Sequence, residues 1–312
     1  MSRRKIAVIG IGKIAQDQHL PVIEASEDFE LAAIVSTRGI GHGEVPVFRS
    51  PGELYNAMPE IGLVSICTPP GVRYAYVREA LDAGKDVMME KPPTTTISEL
   101  DDLIGHAARR SRVLFQTWHS QYNAAVDRTK SLLAEEGVQS ARIDWRESVR
   151  KWHPGQDWVW EPGGFGVCDP GINAFSIFTK VMPFPVFVES ATLTFPENRQ
   201  TPVDAAIRFK SGQPHGPVLS AGFNWLEESD EIWTIAFTTV QGNSVSLERG
   251  GRQLRINGET VLDHGDTEYA GLYDRFADLL DARRSDVDAA PFRLMGDVFL
   301  MGARENGPAF DW

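Results

Sequence analysis

Three stretches of this chain combine residue types and spacings that can do chemistry. Gly10-Ile11-Gly12-Lys13-Ile14-Ala15 fits G-x-G-x-x-A, directly after a β-branched run and at the start of a helical one. Gly10 permits a tight turn, Gly12 lets the backbone come close to a pyrophosphate, and Ala15 lets helix and strand pack. The N–H groups and positive end of such a helix, at Lys13 and Ile14, would hold phosphates. The alternative is a glycine-rich turn without a ligand. Further on, an apolar run ends on Met89-Glu90-Lys91-Pro92-Pro93. A lysine pinned between a strand end and two prolines has a stiff backbone that fixes where its ammonium points. In the third stretch, Asp169 and Asn173 lie four apart, so on a helix they share one face and can touch the same ligand.

The runs around these residues supply their scaffold. Lys5–Ile11, Phe29–Ser36, Gly62–Thr68, Asp86–Glu90 and Val113–Thr117 are strand-sized and apolar. Gly12–Ala25, Val72–Ala83 and Ser98–Arg109 read as helices between them. That alternation predicts a parallel sheet with crossover helices. In such sheets the ligand crevice lies beyond the carboxyl ends of the strands, which is where Cys67-Thr68-Pro69-Pro70, Glu90 and Lys91 would sit beside the cofactor. Cys67 reads as a small packing residue, because no partner histidine or cation accompanies it. The second strand ends on Ser36-Thr37-Arg38, without the carboxylate that holds an adenosine ribose in NAD-binding proteins. Two hydroxyls and a guanidinium suit a 2′-phosphate, so NADP is the expected cofactor, with NAD tolerated. The alternative for Arg38 is a solvated surface charge.

After residue 118 the pattern changes. Tyr122–Glu136 reads as a helix, and Ala141–Lys151 alternates as one long strand carrying Glu147, with His153 at its frayed end. Val186–Leu262 reads as successive strands joined by turns such as Gln241-Gly242-Asn243 and Arg249-Gly250-Gly251, which implies an antiparallel sheet. Helical stretches at Tyr269–Ala282 and Phe292–Ala303 follow. The expected architecture is an α/β Rossmann domain over 1–118, then an α+β domain over 119–312 with an open, mostly antiparallel sheet. The last helices could pack back on the first domain.

Composition narrows the partners. The 312 residues carry a formal net charge of -12, which repels phosphate backbones and anionic lipid, so neither nucleic acid nor membrane is expected. Cys67 and Cys168 show no CxxC spacing, and His19, His42, His106, His215 and His264 show no ligand spacing, so no metal site is expected. The chain enters a strand pattern at once, without a signal-peptide core, which makes the cytoplasm the expected location.

The stretch Ala83-Gly84-Lys85-Asp86-Val87-Met88-Met89-Glu90-Lys91-Pro92 resembles the A-G-K-x-V-x-x-E-K-P motif of the glucose–fructose oxidoreductase/inositol dehydrogenase (Gfo/Idh/MocA) family. The glycine loop, the Thr-Pro loop and the expected open sheet extend that resemblance over the chain. It implies that Lys91 lies beside the nicotinamide and the substrate hydroxyl. Many members also carry a glycine-rich turn, an Asp, and a His four residues later on a helix facing the cofactor. Here Gly163-Gly164-Phe165-Gly166-Val167-Cys168-Asp169 keeps the Asp, while Asn173 replaces the His. Arg73 likewise stands where the family often has His. These departures leave Asp169 as the candidate acid/base, with Lys91 as the alternative and Asn173 holding a hydroxyl. Within the family, Lys91, Asp169 and Asn173 with Glu147 and His153 look like the aldose 1-dehydrogenases acting on L-arabinose and D-galactose. Trp145, Trp152, Trp158 and Trp160 surround Glu147 and His153. Their indole faces suit the C–H surface of a pyranose, or else serve as core anchors. Glu147, His153, Trp152 and His119 are therefore the expected substrate contacts. Glu227–Glu231 reads as a solvated turn, and Trp233 beyond it as a weaker candidate for the sugar. The resemblance also implies a possible homodimer through the open sheet. Rival readings are a same-fold enzyme acting on an inositol, a dihydrodiol or a biliverdin-like imine, or a non-catalytic NADP-sensing regulator.

Overall fold

The computed structural model describes residues 3–212 and 216–312, so His215 lies outside the described residues. The chain forms two compact units. One runs through Trp118 and takes in Tyr269–Ala289; the other comprises His119–Glu268 and Ala290–Trp312.

The first unit holds a parallel sheet of β1 (Arg4–Ile9), β2 (Phe29–Val35), β3 (Val47–Phe48), β4 (Leu63–Ile66), β5 (Asp86–Met89) and β6 (Leu114–Gln116), in the order β3-β2-β1-β4-β5-β6. All residues of β4 and β5 are buried, as expected for strands covered on both faces. The covering helices are α1 (Leu20–Ala25), α2 (Pro51–Ala57), α3 (Pro70–Asp82) and α4 (Ile97–Arg110). A Thr96–Glu99 capping box starts α4, and prolines at the first positions start α2 and α3. The strand order reverses between β1 and β4, so the Gly10 and Cys67 loops flank the switch point where doubly wound sheets take ligands. Neither β3 nor α2 stands out in the sequence: β3 has two residues and α2 a single short run. The helix expected over Gly12–Ala25 contains a π-helical turn, Ala15–His19, before α1.

The second unit opens with α5 (Ala124–Glu136). It continues through β7 (Val138–Arg146), α6 (Val149–Trp152) and α7 (Cys168–Val181) to β8 (Val186–Pro196), β9 (Asp204–Ser211) and β10 (Val218–Asn224). Then come β11 (Ile232–Thr239), β12 (Ser244–Glu248), β13 (Gln253–Ile256) and β14 (Glu259–Asp263). After α8 (Glu268–Ala282), most of which belongs to the first unit, α9 (Ala290–Met301) leads into β15 (Gly302–Gly307). The sheet order is β14-β13-β12-β11-β7-β10-β9-β8-β15. It is mostly antiparallel, but β7–β10 and β8–β15 run parallel.

One face of this sheet alternates inward as Leu219, Ala221 and Phe223 and packs on α7, where Phe175 and Phe178 meet Phe209 and Phe223. Ser220 and Gly222, between them, lie on the other, half-exposed face. Two expectations need correction. The long strand ends at Arg146, and its expected continuation is a helical turn at Val149–Trp152. The helix expected to reach Ala303 stops at Met301, and Gly302–Gly307 becomes an edge strand, because a glycine at 302 lets the chain pass close to Leu193.

Candidate active site

In the first unit the glycine loop has the geometry a dinucleotide needs. Gly10 adopts φ +93°, and a Cβ there would come within 3.0 Å of the Thr68 backbone nitrogen, so the loop and the β4 end can approach only with glycine. At Gly12 a Cβ would meet nothing within 4 Å, and Ala15 is fully buried between helix and sheet. Open space over Gly12, at the start of a helix whose first N–H groups have no partner within the helix, fits a bound pyrophosphate. Lys13 pairs with Asp17 at the surface, and Ile14 precedes the π-helical turn.

At the β2 end the Ser36 hydroxyl is committed to the chain, accepting the Ile40 N–H at 3.0 Å. Thr37 and Arg38 are exposed, and Arg38 reaches back to the Ile11 carbonyl at 3.4 Å. A second guanidinium lies there that sequence reasoning missed. Arg49 donates to the Thr37 carbonyl at 2.8 Å and packs on Gly39. No local signal reveals it, because β3 delivers it from eleven residues past Arg38.

Lys91, half-buried, is joined to Pro92 by a cis peptide. Its backbone N–H donates to Glu90 Oε2 at 2.7 Å. Glu90 is buried: its Oε1 accepts from the Tyr269 hydroxyl at 2.8 Å and lies 3.0 Å from His19 Nε2. His19, the last residue of the π-helical turn, also lies 2.9 Å from the Tyr273 hydroxyl. Burial lowers the His19 pKa, but Cys67, Tyr273 and Glu90 outweigh it and hold the value well above the ordinary one. Cys67 is buried and in no disulfide, but His19 stands beside it as a hydrogen-bond partner, which corrects the expectation that no histidine accompanies it.

In the second unit Asp169 occupies the first turn of α7 and is 1 % exposed. His153 Nε2 lies 3.4 Å from Asp169 Oδ2, while its Nδ1 faces Gln156 Oε1 at 3.4 Å. The His153 ring is held edge-on between Trp158 and Trp225. The glycines before Asp169 are explained by close packing. A Cβ on Gly164 would collide with the Trp158 carbonyl, one on Gly166 with the Pro202 carbonyl, and Phe165 adopts φ +67° between them. Asn173, one turn after Asp169, is half-buried.

Glu147 lies just past the end of β7, buried, and accepts the Trp233 indole N–H at 3.0 Å. Trp152 donates its indole N–H to Glu231 at 2.5 Å and packs against Trp233 with ring centroids 5.8 Å apart. Glu231 also binds Lys151 and is half-buried at the end of a turn whose Glu228, Ser229 and Asp230 are exposed as expected. Trp233 gains its place from the register of β11 with β7, which sets it opposite Trp145. Trp145 and Trp160 are buried, in keeping with core anchors, and Cys168 is buried with its thiol pushed up to about 12 by burial and by Asp169. His119 starts this unit and is tied at Nδ1 to Glu268 Oε2 at 2.6 Å; Asn123 holds the other oxygen of that carboxylate at 2.6 Å. Among the described residues there is no cluster of three metal-ligating side chains, and no helix is long and apolar enough to cross a membrane.

Residues 4–117 match the family model described as an oxidoreductase family with an NAD-binding Rossmann fold. The chain is 42 % identical to galactose 1-dehydrogenase of Pseudomonas fluorescens over 308 residues, covering 98 % of each. The chain belongs to the Gfo/Idh/MocA oxidoreductase family. It is also similar, at 42 % identity and a TM-score of 0.94, to the crystal structure of D-galactose-1-dehydrogenase from Rhizobium etli, covering 100 % of this chain and 99 % of that one. A 3-ketoreductase from Actinomadura kijaniata, solved with NADP and TDP-benzene, shares the fold at 18 % identity and a TM-score of 0.83, covering 98 % of this chain and 100 % of that one. As a member of this family the chain is an oxidoreductase with an NAD(P)-binding Rossmann unit and a second unit built on a mixed, mostly antiparallel sheet.

Proposed function

We propose that this enzyme is an NADP-preferring aldose 1-dehydrogenase that oxidises C1 of pyranoses of the D-galactose and L-arabinose type to the aldonolactone. The observation that carries the reading is the full-length 42 % identity to a galactose 1-dehydrogenase. When bound, the oxidised dinucleotide accepts the hydride that leaves C1. Asp169 is the base that takes the O1 proton, with His153 at 3.4 Å as its neighbour. The Lys91 ammonium donates to the developing alkoxide, and Asn173 holds O1 or an adjacent hydroxyl. Glu147, His153, His119 and Trp152 recognise the remaining hydroxyls and the ring face, and the Trp233–Glu147 and Trp152–Glu231 bonds hold two of those groups in place.

Arg38, supported by Arg49 beside Thr37, takes the 2′-phosphate and gives the NADP preference, with NAD tolerated. The half-exposed sheet face carrying Ser220 and Gly222 pairs two copies of the chain, and the enzyme works in the cytoplasm. A panel of sugars, inositols and amino sugars assayed with NADP and NAD tests the reading. Activity with D-galactose or L-arabinose supports it, and turnover confined to inositols or amino sugars defeats it.

A further inference from the structure

The most unusual charged group of the first unit is Arg73. It is 2 % exposed, in the first turns of α3, and its fork donates to three main-chain carbonyls. Nη1 donates to the Glu90 carbonyl at 2.6 Å and also to the Pro92 carbonyl, and Nη2 donates to the Thr68 carbonyl. These carbonyls belong to the loops that leave β4 and β5. Lys91 sits between two of them, and its own N–H is taken by the Glu90 carboxylate. The peptide group before Lys91 and the carbonyl of the residue after it are therefore tied to buried, charged side chains, and one of those side chains also reaches the Thr68 loop. A guanidinium has five donors in a rigid plane, enough to serve three diverging acceptors, whereas an imidazole at this position offers at most two.

We propose that Arg73 is a positioning residue: it clamps the Thr68 loop to the Glu90–Pro92 loop and so sets where the Lys91 ammonium stands. The clamp acts through Lys91 and touches no reacting atom. Its effect on turnover rests on the reading of Lys91 given under the proposed function.

The test is a double-mutant cycle of Arg73→Met and Lys91→Met, with dinucleotide affinity measured separately by tryptophan quenching and the crystal structure of the Arg73→Met protein determined. If Arg73 acts through Lys91, Arg73→Met lowers kcat by about thirtyfold while dinucleotide affinity changes by less than about threefold, and the double variant is no slower than Lys91→Met alone. The crystal structure then shows Lys91 displaced. Independent, multiplying losses in the double variant, or an unmoved Lys91 in the crystal, overturn the proposal. Should Arg73→Met fail to fold, Arg73→Lys keeps the charge but not the planar fork and is put through the same cycle with the same expectations. If Lys91→Met leaves turnover unchanged, the catalytic reading of Lys91 falls, and the crystallographic position of Lys91 still decides whether Arg73 sets it.

Discussion

Asp169 and His153 show at the scale of single residues what side-chain chemistry can and cannot announce. Asp169 reads as a candidate from its type and its spacing to Asn173. Its neighbour within 3.4 Å is a histidine sixteen residues earlier, brought there by a helical turn where a strand was expected. Replacing Asp169 by Asn removes the proposed proton acceptor and keeps the shape. Turnover should fall by about a hundredfold or more, with dinucleotide affinity unchanged, as read by steady-state kinetics and fluorescence titration. A parallel loss of both would mark Asp169 as structural. The guanidinium pair makes a second expectation. Arg38→Ala should lower the NADP-over-NAD preference by about tenfold, and Arg49→Ala in the same direction by less, because Arg49 is already engaged with the Thr37 carbonyl. An unchanged ratio of kcat/KM values for the two cofactors would remove both residues from the 2′-phosphate site.

At the scale of elements, the glycine-rich turn before α7 and the start of α8 carry the tension in the second unit. Gly164 passes so close to the Trp158 carbonyl that no Cβ fits, and backbone cannot rotate away as a side chain can. Gly164→Ala should therefore destabilise the protein by about 3 kcal/mol, seen as a lower Tm, whereas alanine at Gly212, which has open space around it, should leave Tm unchanged. Glu268 makes the pH expectation. Burial raises its pKa, but His119, Arg252 and Asn123 outweigh burial and hold it below the ordinary 4.5. A depressed carboxyl binds its proton more readily in the unfolded chain. Its stabilisation is present above the ordinary value and lost as pH falls through the folded value. Tm should thus drop as pH falls below the ordinary 4.5, and Glu268→Gln should flatten that slope. A slope identical to that of the parent protein would show that Glu268 does not set it.

At the scale of the whole molecule, a net charge of -12 repels phosphate polymers. The second sheet leaves one face half-exposed, and β10, in the middle of it, presents Ser220 and the unobstructed Gly222. If that face pairs two copies, sedimentation should give twice the chain mass, and Gly222→Arg should give a monomer by burying an unpaired charge in the contact. A parent protein that sediments at the mass of one chain would end the dimer reading.

Apart from β3 and α2, the sequence by itself determined the alternation of strands and helices in the first unit, the glycine loop, the polar end of β5 and the Asp169–Asn173 spacing. All of these depend on local periodicity and backbone preference, which act over a few residues. Tertiary structure alone decided what those residues touch. Strand register set Trp233 opposite Trp145, a two-residue strand delivered Arg49, and pairing with β8 turned Gly302–Gly307 into a strand despite its lack of β-branched side chains. The same holds for Arg73, which in sequence is one more cation on a helix and in the fold is a buried fork between two loops. Hydrogen bonds between segments distant along the chain leave no trace in local patterns, because each partner is chosen by where the backbone of the other happens to end.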